Sequence, residues 1–312
     1  MNLREAVDQY VTYKRSMGMR FATETRTLKS FCRTMGTVSL AQVEASAVYE
    51  YIAGGGAVTR FWHRKYEVLR GFYRFALGRG YTATAPLPKL VPKPPEAFVP
   101  YIFSPEQIGR LLSACDICVG PRRRLQPHTC RTLLLLLYGA GLRISEALAL
   151  TVADVDLHAA LLTIRESKFY KTRYVPIGPD LNRILAEYAV QRAGDHCLEP
   201  TAPFFATRLG TSVTRQMAES AFARLRAHAG VLRHDGARYQ PRLHDLRHTF
   251  AVHRLVSWYR QGADVQRLLP QLATFLGHVD IGGTQRYLAF TPDLMQEASQ
   301  RFQRYACEPR YD

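Results

Sequence analysis

Between Arg242 and Phe290 the chain concentrates side chains able to handle a phosphoryl group. The stretch opens with RLHDLRHTFAV and closes with LGHVDIGGTQRYL. His244, Arg247 and His248 fall at i, i+3 and i+4, so a helix carries all three on one face. Leu243, Leu246, Phe250 and Val252 can anchor that helix in a core. Downstream, His278 sits on a Gly-containing turn and Tyr287 in a short helix with a polar start. Imidazoles move protons, a guanidinium grips an anionic oxygen, and a phenol is a nucleophile once deprotonated. No carboxylate cluster suited to a metal accompanies them.

The same five residues, HDLRH, have the two-histidine spacing of a zinc metalloprotease helix, with Asp245 where that motif carries Glu. Arg247 would then share the metal's face and repel it. His253 is off the spacing of the extended three-histidine zinc motif and lacks its Gly turn. Taken alone, the segment also fits a purely structural histidine helix, and the rest of the chain has to decide.

A net charge of +16 over 312 residues and a pI near 9.8 call for a polyanionic partner. Nucleic acid is the first candidate and an anionic membrane surface the competitor. LLLLLY at 133–138 is too short to span a bilayer. MNLREAVDQY has early acidic residues and no apolar signal core, so the expected location is cytoplasmic, nucleoid-associated when bound to DNA. Cys115 and Cys118 form a CxxC without a second one, and Cys130, Cys197 and Cys307 are scattered. Neither a metal, a disulfide nor a cofactor is assigned to them.

The elements that must position these groups begin with a helical bundle over 1–81. Leu3, Ala6, Val7, Tyr10 and Val11 form one apolar stripe, and Leu28, Phe31, Cys32 and Met35 a second. Ser39 is read as the cap of a third helix through Val43, Val48, Tyr49 and Ile52, ending at Gly54-Gly55-Gly56. A fourth spans about Val58 to Leu77, with Leu69, Phe72, Tyr73 and Ala76 inward. Its other face carries Arg60, His63, Arg64, Lys65, Arg70 and Arg74, with Trp62, Tyr66 and Tyr73 nearby. That face is either solvated or a phosphate contact. Residues 82–100 alternate Pro with Lys89 and Lys93, an extended linker. Two basic domains joined by a basic linker can hold opposite sides of a duplex.

The second domain, 101–312, opens with Ser104 as a cap, Pro105 at the first helical position and Gln107 completing a capping box. A basic loop (Arg122, Arg123, Arg124) precedes a buried helix that breaks at Gly139 and Gly141, and a new helix starts near Ser145. Arg143 therefore stands at a helix entrance, well placed for a phosphate. ALLTIRE and RYVPIG alternate like strands, with Lys168 and Lys171 on the turn between them. Leu181 to Ala193 and Thr214 to Ala229 are amphipathic helices. Arg215, Arg224, Arg226, Arg233 and Arg238 extend the positive surface. A last helix at 293–306 has Leu294, Ala298, Phe302 and Tyr305 on one stripe, for the core or for a neighbouring subunit.

With these motifs in hand, the chain resembles the tyrosine recombinase (phage integrase-like) family of site-specific DNA recombinases, over nearly its whole length. GAGLRISEAL, SKFYKTRYVPI, HDLRH and LGHVDIGGTQRYL occur in the family's order. The resemblance implies a mainly α protein with a small β-sheet: an N-terminal helical core-binding domain and an α+β catalytic domain. It implies that Tyr287 attacks the scissile phosphate to give a 3′-phosphotyrosyl link, with Arg143 and Arg247 clamping the non-bridging oxygens. Lys168 would protonate the leaving 5′-oxygen; it is preferred to Lys171 because it directly follows the first strand, as the family's lysine does. His244 would exchange a proton with the tyrosine, His278 would donate a hydrogen bond to the phosphate, and Glu146 and Asp245 would brace the site. The implied partners are double-stranded DNA and three further copies, a homo-tetramer on paired sites joined through the final helix, in the service of a mobile element and without a metal. The segment Ser257 to Gln271 is longer than the family commonly shows. A DNA-binding architectural or regulatory protein on the same scaffold fits the charge but has no use for a nucleophile. A relaxing topoisomerase of the same chemistry would need no paired sites.

Overall fold

The computed structural model describes residues 1–56, 58–95, 99–118, 124–165, 172–196, 199–237, 239–278 and 282–289, together with 296 and 299. The chain divides into two compact units, Met1–Phe98 and Val99–Asp312.

In the first unit, α1 (Leu3–Ser16) starts from a capping box in which the Arg4 amide donates to Asn2 Oδ1 at 2.9 Å and the Asn2 amide donates to Glu5. The whole expected stripe Leu3, Ala6, Val7, Tyr10 and Val11 is buried. Helix α2 (Ala22–Met35) packs on it through Leu28, Phe31 and Cys32. The expected third helix is broken. Leu40–Gln42 form a single 3-10 turn, Val43 and Glu44 are extended, and α3 runs only over Ala45–Ala53. Ser39 does not cap a helix because its backbone bridges to Asn2. Leu40 and Val43 are drawn into the core there. Gly54 ends α3 with φ +59°, the left-handed cap that glycine adopts without penalty.

Helix α4 (Arg60–Gly78), capped by Thr59, buries Leu69, Phe72, Tyr73 and Ala76 as expected. Its polar face needs correcting. Trp62 and Tyr73 are core residues, and Lys65 folds back so that its ammonium donates to the Tyr51 carbonyl and lies over the Tyr51 ring. A long aliphatic stem gains from such burial while its charge finds an acceptor. Arg60, Arg64, Arg70 and Arg74 remain exposed.

The second unit is mainly helical around a three-stranded antiparallel sheet. Its first helix, α5 (Pro105–Ser113), has the expected box: the Gln107 amide donates to Ser104 Oγ and the Ser104 amide to Gln107 Oε1. A short α6 (Cys115–Cys118) holds the CxxC, whose thiols are free. The leucine run of α7 (Pro127–Gly139) is the centre of the core, and α8 (Ile144–Ala149) follows the glycine break. A Cβ on Gly141, at φ +59°, would meet the Phe250 ring at 2.5 Å, so this turn admits only glycine.

The sheet order is β1 (Val155–Asp156), β2 (Leu161–Ile164), β3 (Arg173–Pro176). Leu162 pairs with Val155 on one side and Val175 on the other. Two residues carry no readable alternation, so β1 goes unforeseen in the sequence. Helices α9 (Pro179–Asp195) and α10 (Arg215–His228) cover the core and lead to α11 (Leu243–Arg260). The long segment after the histidines is resolved into the end of α11, a turn at Gly262 and α12 (Val265–Leu276), with Pro270 inside it. A single turn of helix, α13 (Gly282–Gln285), and a 3-10 turn over Arg286–Ala289 complete the described chain. The expected helix at 293–306 falls outside the described residues. Among the described residues no helix is long and apolar enough to cross a membrane.

Two of the arginines expected to extend the positive surface do other work. The Arg226 guanidinium donates to the Pro241 carbonyl at 2.6 Å. Arg233 is nearly buried, pairing with Asp235 and donating to the Val99 carbonyl. Each ties a loop to the unit by donating to a backbone carbonyl. Arg238 lies outside the described residues.

Candidate active site

Helix α11 starts at Arg242, whose amide donates to Asp245 Oδ2 at 2.8 Å while its guanidinium pairs with Oδ1. Asp245 is buried and braces the helix entrance. The next turn carries Arg247, 2% exposed, the largest fully buried side chain among the described residues. Its Nη1 donates to the Gly141 carbonyl at 2.8 Å and its Nη2 to the Leu276 carbonyl at 2.6 Å. Burial first, then the charge of Arg143, pushes its pKa down to about 10, so it remains cationic at neutral pH. A charge so enclosed persists only with such acceptors around it.

Arg143 is the N-cap of α8. Its amide donates to Glu146 Oε2 at 3.0 Å, its Nη1 to Glu146 Oε1 at 2.7 Å and its Nη2 to the Gly277 carbonyl at 2.9 Å. Arg173 reaches the same carboxylate from β3 and donates through Nε to the Phe275 carbonyl. Burial alone would raise the Glu146 pKa. Hydrogen bonds and charge from Arg173, then from Arg143, outweigh burial and hold it at about 2. Three guanidiniums from three elements therefore meet the last carbonyls of α12, at Phe275, Leu276 and Gly277, where the helix dipole is negative.

Gly277 then turns the chain with φ +66° and His278 follows, half-buried, with Nδ1 at 2.6 Å from the hydroxyl of buried Thr284. Tyr287 is 3% exposed, and its hydroxyl lies 3.2 Å from Nδ1 of His248. The His278 and Tyr287 rings stack at 6.0 Å. Burial raises the phenol's pKa, while the positive charge and hydrogen bonding of Arg247, and then Arg143, pull the other way.

The two imidazoles of α11 meet edge to face, with centroids 4.8 Å apart. Both have pKa values pushed down to about 4. For His248 burial leads, followed by the charges of Arg247 and Arg242. His244 stands open to solvent although its flanks are enclosed. Desolvation by the surrounding atoms, then His248 and Arg247, depresses it, and the Asp245 charge opposes them. Both are neutral at pH 7 and free to accept a proton.

The structure thus gathers Arg143, His244, Arg247, His278 and Tyr287 in one site. Lys168 and Lys171 lie outside the described residues; the flanking strands end at Ile164 and begin at Arg173. The imidazole that meets the phenol is His248 rather than His244. Its signal was the i+4 spacing within HDLRH, which marked the shared face without ranking the two rings. Arg173 and Thr284 also belong to the site, and nothing in their local sequence marked them. No group of three or more metal-type ligands occurs among the described residues.

A buried phenol beside neutral imidazoles and paired guanidiniums, on a mainly helical unit, has the side chains that phosphodiester chemistry calls for. Residues 102–293 match the phage integrase family, and the chain belongs to that family, the tyrosine recombinases. It is 35% identical over 306 residues to a putative integrase/recombinase, y4rB, of Sinorhizobium fredii, covering 96% of this chain and 97% of that one. It is 32% identical to the tyrosine recombinase XerC of Oceanobacillus iheyensis, over 75% of this chain and 72% of the relative. Among solved structures, the Tn1549 transposon integrase in complex with transposon right end DNA superposes with a TM-score of 0.69 at 18% identity, covering 98% of this chain and 100% of that one.

Proposed function

We propose that this protein is a site-specific DNA strand transferase that cuts and rejoins double-stranded DNA through a 3′-phosphotyrosyl intermediate. The observation that carries the reading is the Tyr287 hydroxyl held 3.2 Å from a neutral imidazole, beside two guanidiniums already locked by backbone carbonyls.

In this reading the phenol passes its proton to His248, with His244 next in line, and the phenolate oxygen attacks phosphorus. The bond from phosphorus to the 5′-oxygen breaks, and Lys168 protonates that oxygen. Arg143 and Arg247 stabilise the charge on the non-bridging oxygens, and His278 donates a hydrogen bond to one of them. Because the guanidiniums are preorganised, no metal ion is required. A 5′-hydroxyl from another strand then attacks phosphorus and releases Tyr287, so the bond energy is conserved and no nucleotide cofactor is needed.

The net charge of +16 suits a duplex partner. Residues 1–81 would act as the core-binding domain, 82–100 as the linker and 101–312 as the catalytic domain. The helix at 293–306 would join four copies on paired sites. Likeness to a transposon integrase and to integrase/recombinases supports service to a mobile element.

The test is to trap the intermediate. Purified protein is incubated with candidate element-end DNA carrying a nick near the cleavage point, then resolved on a denaturing gel beside Tyr287→Phe. A protease-sensitive shifted band absent from the variant is expected. Tight, site-specific binding without any band would overturn the reading in favour of an architectural protein.

A further inference from the structure

Arg173 opens β3, where strand alternation alone makes it an ordinary edge residue. Its side chain is 12% exposed and engages groups far away in the chain. Nη1 donates to Glu146 Oε1 at 3.1 Å and Nη2 to Glu146 Oε2 at 2.9 Å, a two-pronged pairing. Nε donates to the Phe275 carbonyl at 3.1 Å. Glu146 offers the same two oxygens to Arg143, to the guanidinium through Oε1 and to the backbone amide through Oε2. One carboxylate, 8% exposed, is therefore gripped on both sides by arginines.

The two arginines also share the C-terminus of α12, Arg173 at Phe275 and Arg143 at Gly277. The fit is tight: a Cβ on Gly277 would come within 2.8 Å of Arg173 Nη1. Both partners of the Arg143 guanidinium, Glu146 and Gly277, thus lie directly against Arg173. With one guanidinium nitrogen on Glu146 and another on Gly277, Arg143 keeps its remaining donors for an incoming anion.

We propose that Arg173 is a positioning residue of the strand-transfer site. It fixes Glu146 and the end of α12, and through them sets the guanidinium of Arg143 against the scissile phosphate. This rests on the strand-transfer reading above. Arg173 itself does not touch DNA in this assignment; it acts through Arg143, and a lysine cannot replace its planar fork.

The experiment compares wild type, Arg173→Gln, Arg173→Lys and Arg143→Ala on two nicked duplexes. One carries an ordinary scissile phosphodiester and the other a neutral methylphosphonate at that position. A neutral group develops less anionic charge on attack and depends less on the Arg143 cation. We expect Arg173→Gln to slow covalent-complex formation on the diester by on the order of 10- to 100-fold, and on the methylphosphonate by no more than about threefold. Arg143→Ala should show the same substrate pattern, and Arg173→Lys a milder form of it. Equal slowing of Arg173→Gln on both duplexes makes the residue a fold support only and overturns the proposal, as do unchanged rates on both. If melting shows Arg173→Gln unfolded, Arg173→Lys decides by the same comparison. A wild-type protein that forms no covalent complex on either duplex overturns the strand-transfer reading, and this inference with it.

Discussion

The arginines of α4 and those around the end of α12 are the same residue put to opposite uses. Arg60, Arg64, Arg70 and Arg74 stand in water, and Arg70 pairs with exposed Glu67 at 2.7 Å. Such an ion pair adds little to stability, and its members can rearrange around any polyanion. Arg143, Arg173 and Arg247 are instead fixed by carbonyls and one carboxylate before a ligand arrives. Exposed cations supply attraction that any phosphate backbone satisfies. Buried ones supply geometry that suits one phosphate. The difference shows where a basic chain spends folding energy on precision.

The contrast is most sharply tested at Arg247. Arg247→Ala removes a charge that cannot be replaced by solvent, and covalent-complex formation should fall by on the order of 10²- to 10³-fold, as when one preorganised donor is lost. Rates within threefold of wild type on saturating DNA would erase the distinction between the two sets.

Gly277→Ala comes next. Its new methyl would press on the Arg173 guanidinium, and the position needs a left-handed backbone. Urea denaturation should show about 1–3 kcal/mol of lost stability, accompanied by slower cleavage. A loss of stability with unaltered cleavage would uncouple the end of α12 from the site.

Acid should weaken the site through its imidazole and carboxylate while leaving the arginines of both sets charged. His248 has a folded pKa near 4 against an ordinary value of 6.5, so the unfolded chain binds its proton first. Its contribution to stability is complete above pH 6.5 and is lost as pH falls from there towards 4, by at most about 3 kcal/mol. Glu146, held near 2 against 4.5, adds a second loss as pH falls from about 4.5 towards 2. Urea midpoints measured from pH 7 down to 5 should fall less in His248→Gln than in wild type; equal slopes would refute the first assignment.

The smallest effect belongs to α4. Arg64→Ala should lower the salt dependence of DNA binding by about one counterion and leave the rate of cleavage on saturating DNA unchanged. A change in that rate instead would give α4 a part in geometry.

What the sequence made legible follows the same division. Periodic apolar stripes, the Ser104 cap and the Gly54 stop are local, and they emerged as the residues implied. The broken third helix was not legible, since Ser39 answers to Asn2 across the chain. Nor was β1, too short to alternate. In the site, Arg143, Arg247, His278 and Tyr287 came together from their motifs. The ring touching the phenol and the work of Arg173 did not show, because they depend on partners up to 102 residues away. Lys65, Arg226 and Arg233 misled for a related reason: a long side chain can turn to a nearby carbonyl and leave the surface its position suggests.

The enclosure of Tyr287 bears on what separates a transferase from a nuclease. With its phenol 3% exposed, a phosphorus joined there would sit where bulk water has few lines of approach, while a DNA end held in register could still reach it. Hydrolysis would leave a permanent break in the chromosome. Under the proposed strand-transfer reading, the packing around one side chain would act as a safeguard for the genome, keeping an opened strand closable.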